Sequence, residues 1–370
     1  MRKMILSAGA LLFGVLVSAQ NNDSQVGQFG NGNSASVEQT GNLNEATVQQ
    51  GVMNVPAAAS NNNSATTSQN GSSNEANTVQ IGNNNTVTQT QVGSDNLANA
   101  NQGRAINLFG TFFQVTKSLN DEINQDQEGN NNEADAKQLG AGFFGSGGNE
   151  INQTQLGDDN FARAQQDAGA SRNLINQTQT GDNNDALGLQ GSGGGINTFD
   201  NQMDQIQTGN DNNVIARQRI TTKNSVSYQE QIGDNNFAEV FQQGNMHDAY
   251  QLQTGDNNNA NIRQDAPFAG STLNVASQMQ SGNFNDADIV QSGSNNFSTQ
   301  NQIGDTNDIN SLQQGDGNFA VGVQVGNLNL STSDQIGNGN SATVVQVGDE
   351  NNSDVNQTGT SHYSYNVQDG

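Results

Sequence analysis

The chain has no cysteine, so neither a disulfide framework nor a thiolate metal site is open to it. Lysine and arginine together number 11 against 36 acidic residues, a formal net charge of -25, which removes the basic surface that a nucleic-acid backbone requires. Long apolar runs are missing apart from Ile5 to Val17, so no other segment could span a bilayer. That run follows Arg2 and Lys3 and precedes Val17-Ser18-Ala19, the form of a secretory signal over residues 1–19 with cleavage before Gln20. Hydrophobic content of 31% would ordinarily mean disorder, because too little apolar surface is available to offset chain entropy. Catalytic signatures are also missing: there is no nucleophile motif or phosphate loop, and Gly191-Ser192-Gly193-Gly194-Gly195 reads as a flexible loop.

What is present is repetition. Glutamines recur every eleven residues at Gln280, Gln291, Gln302, Gln313, Gln324, Gln335, Gln346, Gln357 and Gln368. Glycines keep the same step at Gly282, Gly293, Gly304, Gly315, Gly326, Gly337, Gly348, Gly359 and Gly370, and asparagines at Asn285, Asn296, Asn307, Asn318, Asn329, Asn340 and Asn351. Small or apolar residues follow two places on, at Ala287, Ser298, Ile309, Ala320, Ser331, Ala342 and Ser353. A glycine and an asparagine in every unit argue against a helix of this period. The unit divides instead into a strand of about six residues and a tight Gly-x-x-Asn turn, in which Gly and Asn tolerate positive φ. Strand and turn repeated in this way predict an all-β chain, a β-solenoid.

Departures from eleven are ordered. Steps such as 127 to 138, 155 to 166 and 253 to 264 are eleven, whereas 138 to 155, 166 to 179, 190 to 207, 218 to 231 and 264 to 280 are longer. Insertions at alternate junctions imply two short strands per 22-residue rung, with loops leaving one edge. The turn glycine is replaced where insertions follow, by Arg104, Ala168, Ser192, Ile220 and Ala266, with Gly140 the exception. Pro267 lies in an insertion and Pro56 in a register break, where a residue without an N–H is tolerated. The chain then divides into a leader at 20–27, irregular repeats at 28–102 with units at Gln28, Gln39, Gln49, Gln69, Gln80, Gln91 and Gln102, an insertion or degenerate repeat at 103–126, repeats with loops at 127–279 and regular half-repeats at 280–370. About 13 rungs at roughly 4.8 Å each would make a rod about 60 Å long.

Alternation along a strand puts Asn340, Ala342, Val344 and Gln346 on one face, assigned to the interior because amides there can pair with copies above and below. The other face carries Val325, Ile336, Val347, Phe161, Phe237, Phe297 and Phe319, either as ordinary strand formers or as contact patches. His247 and His362 sit at asparagine positions and read as substitutes within a ladder rather than metal ligands. Asp158, Asp182, Asp234, Asp256, Asp305 and Asp349 fall in one corner column, whose mutual repulsion predicts assembly that quickens with salt or falling pH. No recurrent cation cage accompanies them, and no cofactor is expected.

These units resemble the curlin repeat of curli fibre subunits, Ser-x5-Gln-x-Gly-x-x-Asn-x-Ala-x3-Gln. Gln324-x-Gly326-x-x-Asn329 followed by Gln335-x-Gly337-x-x-Asn340-x-Ala342-x3-Gln346 carries the likeness, with Asn usually standing where curlin opens its first strand with Ser. More rungs and the insertions are further departures. The resemblance implies export through the periplasm of a Gram-negative bacterium and an outer-membrane pore, then self-assembly into extracellular cross-β amyloid that supports biofilm and adhesion. Partners on that reading are other copies of the chain, a nucleator and the pore. The last residues, Gln368-Asp369-Gly370, stop inside a repeat with no polar cap, so open strand edges are expected to template further copies. Two other classes stay open, a soluble monomeric β-solenoid that adheres to surfaces or ice, and a nucleator of a separate fibre subunit. A β-helix enzyme acting on polysaccharide would need acids and bases in a groove, which the linear Asp column lacks.

Overall fold

A computed structural model describes residues 21–52, 60–108, 112–139, 147–167, 169–191, 198–265 and 273–370. The signal at 1–19, both prolines, Gly140, Ala168, Ser192 and Ala266 lie outside the described residues. Two parallel sheets face each other along the whole length. Sheet one begins with Asp23–Gln28 and Glu45–Gln50 and ends with Asn352–Thr360; sheet two begins with Ser34–Asn42 and Ser64–Ser72 and ends with Tyr363–Asp369. Sheet two has 14 strands, and sheet one has 16 when the short strands Ala170–Ser171 and Thr198–Phe199 are counted with it. The chain alternates between the sheets at every turn, which makes it a β-solenoid with two strands per rung.

Register is kept throughout. Gln280 pairs with Gln253 on one side and Gln302 on the other, and Ala276 likewise with Ala249 and Ser298. In-register pairing follows from the period of two along a strand, since a slip of one residue would turn the amide face outward.

The irregular N-terminal part is more regular than its spacing suggests. Asp23–Gln28, which takes in most of the expected leader at 20–27, is already a full strand paired with Glu45–Gln50. Gln50, not Gln49, occupies the repeat position, opposite Gln28 and Gln80, while Gln49 faces outward. Residues 103–126 divide in two: Arg104–Leu108 and Phe112–Thr116 pair as an antiparallel hairpin, and the stack has resumed by Glu122–Asn130, which joins sheet two in register.

The core between the sheets is thin, and its volume is shared. Ile123, Ile151, Ile175 and Met203 of sheet two share one cluster with Ala136, Ala164 and Ala216 of sheet one. Gly188 continues the small column: a Cβ there would lie 2.9 Å from Met203 Sδ and 3.0 Å from Ile175 Cγ2. Beyond Met203 the large residues change sides, with Val240, Ile262 and Ile289 on sheet one and Ala249 and Ala276 on sheet two. A close-packed gap of fixed width admits one large side chain per rung, and either sheet can supply it.

Candidate functional site

The most ordered chemistry in the molecule is its columns of amides. In sheet two Gln280 Nε2 donates to Gln302 Oε1, Gln302 to Gln324, Gln324 to Gln346 and Gln346 to Gln368, at 2.7–3.0 Å. In sheet one the same bonds join Gln291, Gln313, Gln335 and Gln357 at 2.9–3.0 Å. The second N–H of each amide reaches across the core to a backbone carbonyl of the other sheet, for example Gln302 to Asp286 O and Gln313 to Phe297 O, both 2.9 Å. Each glutamine therefore binds its neighbours along the stack and also ties sheet to sheet. A buried amide left unpaired would cost about 1–3 kcal/mol, and these are 0% exposed at Gln291, Gln302, Gln313, Gln324, Gln335 and Gln346.

The asparagines point the other way along the stack. Asn307 donates from both its backbone N–H and Nδ2 to Asn285 Oδ1, at 3.0 and 3.1 Å, and from Nδ2 to Gly326 O at 2.8 Å. Asn329 repeats this on Asn307 and Gly348, Asn351 donates its backbone N–H to Asn329 Oδ1, and Asn296, Asn318 and Asn340 form the matching column at the other corner. None of these motif asparagines uses the positive φ that the residue tolerates; the left-handed residue is the one before, such as Phe284, Asn295, Thr306 or Leu328 at 56–59°. The asparagine is held in an extended conformation because its side chain must point inward to meet the column.

The turn glycines are required by space as well as by φ. Gly304 has φ +118, and a Cβ on it would lie 2.0 Å from Gly326 O of the next rung; Gly282, Gly293, Gly315, Gly326, Gly337 and Gly348 repeat this at 1.8–2.2 Å. Gly359 meets the His362 ring instead, at 2.7 Å.

Three residues replace asparagine inside the second column without breaking it. Asp121 takes the N–H bond of Asn149 on Oδ1 and the Ser118 hydroxyl on Oδ2, and burial pushes its carboxyl up to about 6 against those bonds. Ser225 Oγ accepts the His247 N–H at 3.0 Å. His247 is fully buried, its Nε2 lies 3.1 Å from Gln243 O, and Nδ1 accepts the Asn274 N–H at 3.3 Å. Those roles belong to a neutral imidazole carrying its proton on Nε2, and burial lowers its pKa to about 4. His362 ends the same column, donating its backbone N–H to Asn340 Oδ1.

A second glutamine ladder, not singled out from the sequence, runs two residues before the first in sheet two. Gln89, Gln125, Gln153, Gln177, Gln205, Gln229, Gln251, Gln278 and Gln300 are joined at 2.8–3.1 Å. Its trace in the sequence is the recurrent Gln-x-Gln, as at Gln153 and Gln155. At the corner, Asp158 N–H donates to Asp182 Oδ1 and Asp234 N–H to Asp256 Oδ1, so each of these carboxylates accepts a backbone donor from the rung before. On the outer face of sheet one, burial raises the carboxyls of Asp286, Asp288 and Asp308, and Asp288 is raised further by the other two. Among the described residues no group of three or more His, Asp or Glu is gathered as a metal site, and no helix is long and apolar enough to cross a membrane.

A two-sheet parallel solenoid with amide-laddered interior and stacked glycine corners defines a class of repeat protein. The curlin associated repeat matches at 19–51, 233–265 and 334–359, which supports a place among curlin-repeat proteins. No curated protein matches it.

Proposed function

We propose that the chain is a secreted, self-assembling structural subunit of curli-like extracellular fibres that support a biofilm matrix and adhesion. The observation that carries this reading is the in-register amide ladder along both sheets, whose bonds run from rung to rung and can extend into a further copy. Among the described residues Asp23–Gln28 and Ser34–Asn42 pair only toward the C-terminal side, and Asn352–Thr360 and Tyr363–Asp369 only toward the N-terminal side. Unpaired edges are templates for further strands.

The two ends also suit each other. A second copy continuing the same register would set Ser24, Val26 and Gln28 over Ser353, Val355 and Gln357, and Gln39 over Gln368. Serine, valine and glutamine would each meet their own kind, and the ladders would run on from one molecule to the next. In this role Gln280, Gln291 and their copies serve assembly as they serve folding, with Asn285 and its copies beside them and Gly282 and its copies turning each corner. Export through an outer-membrane pore and a nucleating partner belong to the same proposal, on the strength of the curlin repeats.

The test is to refold residues 20–370 from denaturant and follow thioflavin T fluorescence with and without preformed seeds, with fibre diffraction of the product. A lag removed by seeding and a 4.7–4.8 Å meridional reflection are expected. A stable soluble monomer with β circular dichroism and no seeding would overturn the reading and favour a monomeric adhesin.

A further inference from the structure

The two outer faces of the solenoid differ sharply over its C-terminal third. In sheet two the strands Val275–Ser281, Phe297–Ile303, Phe319–Val325 and Ser341–Val347 contain no charged residue. In sheet one the strands between and after them carry Asp286, Asp288, Asp308, Asp334 and Asp354 with no lysine or arginine. Sheet two here is an exposed apolar plane. Met279 is 45% exposed, Ile303 46%, Phe319 41% and Val347 40%. Its margins are acidic, with Asp305 and Asp349 at the corner that follows these strands.

We propose that this face is a lateral interface on which two copies of the chain pair, sheet two against sheet two, so that the fibre is built of paired solenoids. The proposal rests on the fibre reading above. An apolar centre with a charged rim is the layout of a protein interface, and two identical faces related by a two-fold axis match without a second kind of partner. Phe297 and Phe319 stack with ring centroids 5.1 Å apart and 9° between planes, forming a ridge along one margin. A two-fold axis parallel to the stack sets that ridge against the column of Ile303, Val325 and Val347 on the other copy, with the sheets about 10 Å apart. The acidic face cannot pair in the same way, because it would bring like charges together. Association therefore stops at two.

Area decides when pairing takes hold. Four strands at ~4.8 Å and seven residues at ~3.3 Å make a plane of about 440 Å², so a lone pair buries on the order of 900 Å². That lies below the ~1,200 Å² of a stable specific complex. Stacked copies repeat the face about every 65 Å and add their contributions, so pairing belongs to the fibre rather than to the free chain.

The experiment compares fibres of the wild type, Val323→Lys at the centre of the face, and Leu312→Lys on the acidic face. Mass per length from scanning transmission electron microscopy is read beside the seeded elongation rate. Wild type and Leu312→Lys should show two chains per ~65 Å, and Val323→Lys one, with elongation within about twofold of wild type. Wild-type fibres of one chain per repeat, or Val323→Lys fibres of two, would overturn the pairing and leave the fibre reading intact. No fibres from the wild type would overturn both. Should Val323→Lys lose its β circular dichroism, Asn301→Lys, outward on the same face, reads the same question. Binding of wild-type chain to phosphatidylcholine vesicles that Val323→Lys abolishes, with fibres single throughout, would assign the face to lipid and overturn the pairing.

Discussion

At the scale of single residues the solenoid makes two kinds of demand, one on space and one on protonation. Gly304 and Gly317 both have positive φ, but only Gly304 faces a carbonyl at 2.0 Å from its absent Cβ, while Gly317 has nothing within 4 Å. Gly317→Ala should therefore cost about 1 kcal/mol, the left-handed penalty alone. Gly304→Ala adds a backbone clash with the next rung and should cost well over 2 kcal/mol, both read from urea unfolding of the soluble chain. Asp121 is a different case, a carboxyl at a position that other rungs fill with amide. Its folded pKa of about 6 lies above the ordinary 3.8, so the folded state binds the more protons between those values and stability falls as pH rises through them. Asp121→Asn should stabilise the chain at pH 7 by up to about 3 kcal/mol, and the gain should vanish near pH 4. An equal gain at both pH values would show that burial of the charge is not the cause.

At the scale of the repeated element the question is how much one amide supports. Gln302 accepts from Gln280 and donates to Gln324 and to Asp286 O. Replacing it by alanine removes all three of these bonds from the buried ladder, so Gln302→Ala should lose about 3 kcal/mol and slow seeded growth. Gln314→Ala, exposed in the next strand of sheet one, should stay within about 0.5 kcal/mol and is the control. Equal effects at the two positions would make the ladder incidental. The repeat also shows how far the sequence could be read. Asn to Gln is six residues in every rung, as from Asn285 to Gln291, and the same count from Asn44 reaches Gln50. An eleven-residue step from Gln39 reaches Gln50 as well, so Gln49 is a neighbouring glutamine one short of both counts. The second glutamine ladder was likewise written as Gln-x-Gln, but one residue type in alternate places does not by itself say which of two sheets it lines.

At the scale of the whole molecule, the stability of the stack depends on titrations inside its columns. His247 holds Asn274 through a neutral Nδ1, and its folded pKa of about 4 is below the unfolded 6.5. Between those values the unfolded chain binds the more protons, so stability drops as pH falls through that window, by about 3 kcal/mol in all. Asp265, which favours the protonated ring, moderates this. His247→Asn restores the ordinary column residue, and the difference between variant and wild type should grow from pH 7 to pH 4. Asp121 sits many rungs away, and its opposite contribution cancels in that difference. A difference independent of pH would show that the ring is not buried neutral.

The sequence alone determined the class of fold, the two strands per rung, the inward face of Asn340, Ala342, Val344 and Gln346, and the columns in which the amides stand. It could do so because each of these follows from periodicity, and a period is a property of the chain. What depends on two strands meeting in space was decided only by the tertiary structure. The asparagine is extended and its predecessor left-handed because the side chain must reach the rung before it. Large core residues pass from sheet two to sheet one after Met203 because the gap between the sheets has one width, which no single strand records. The uncharged plane of sheet two and the acidic plane of sheet one emerge only when alternate units, 22 residues apart in sequence, are stacked a strand spacing apart.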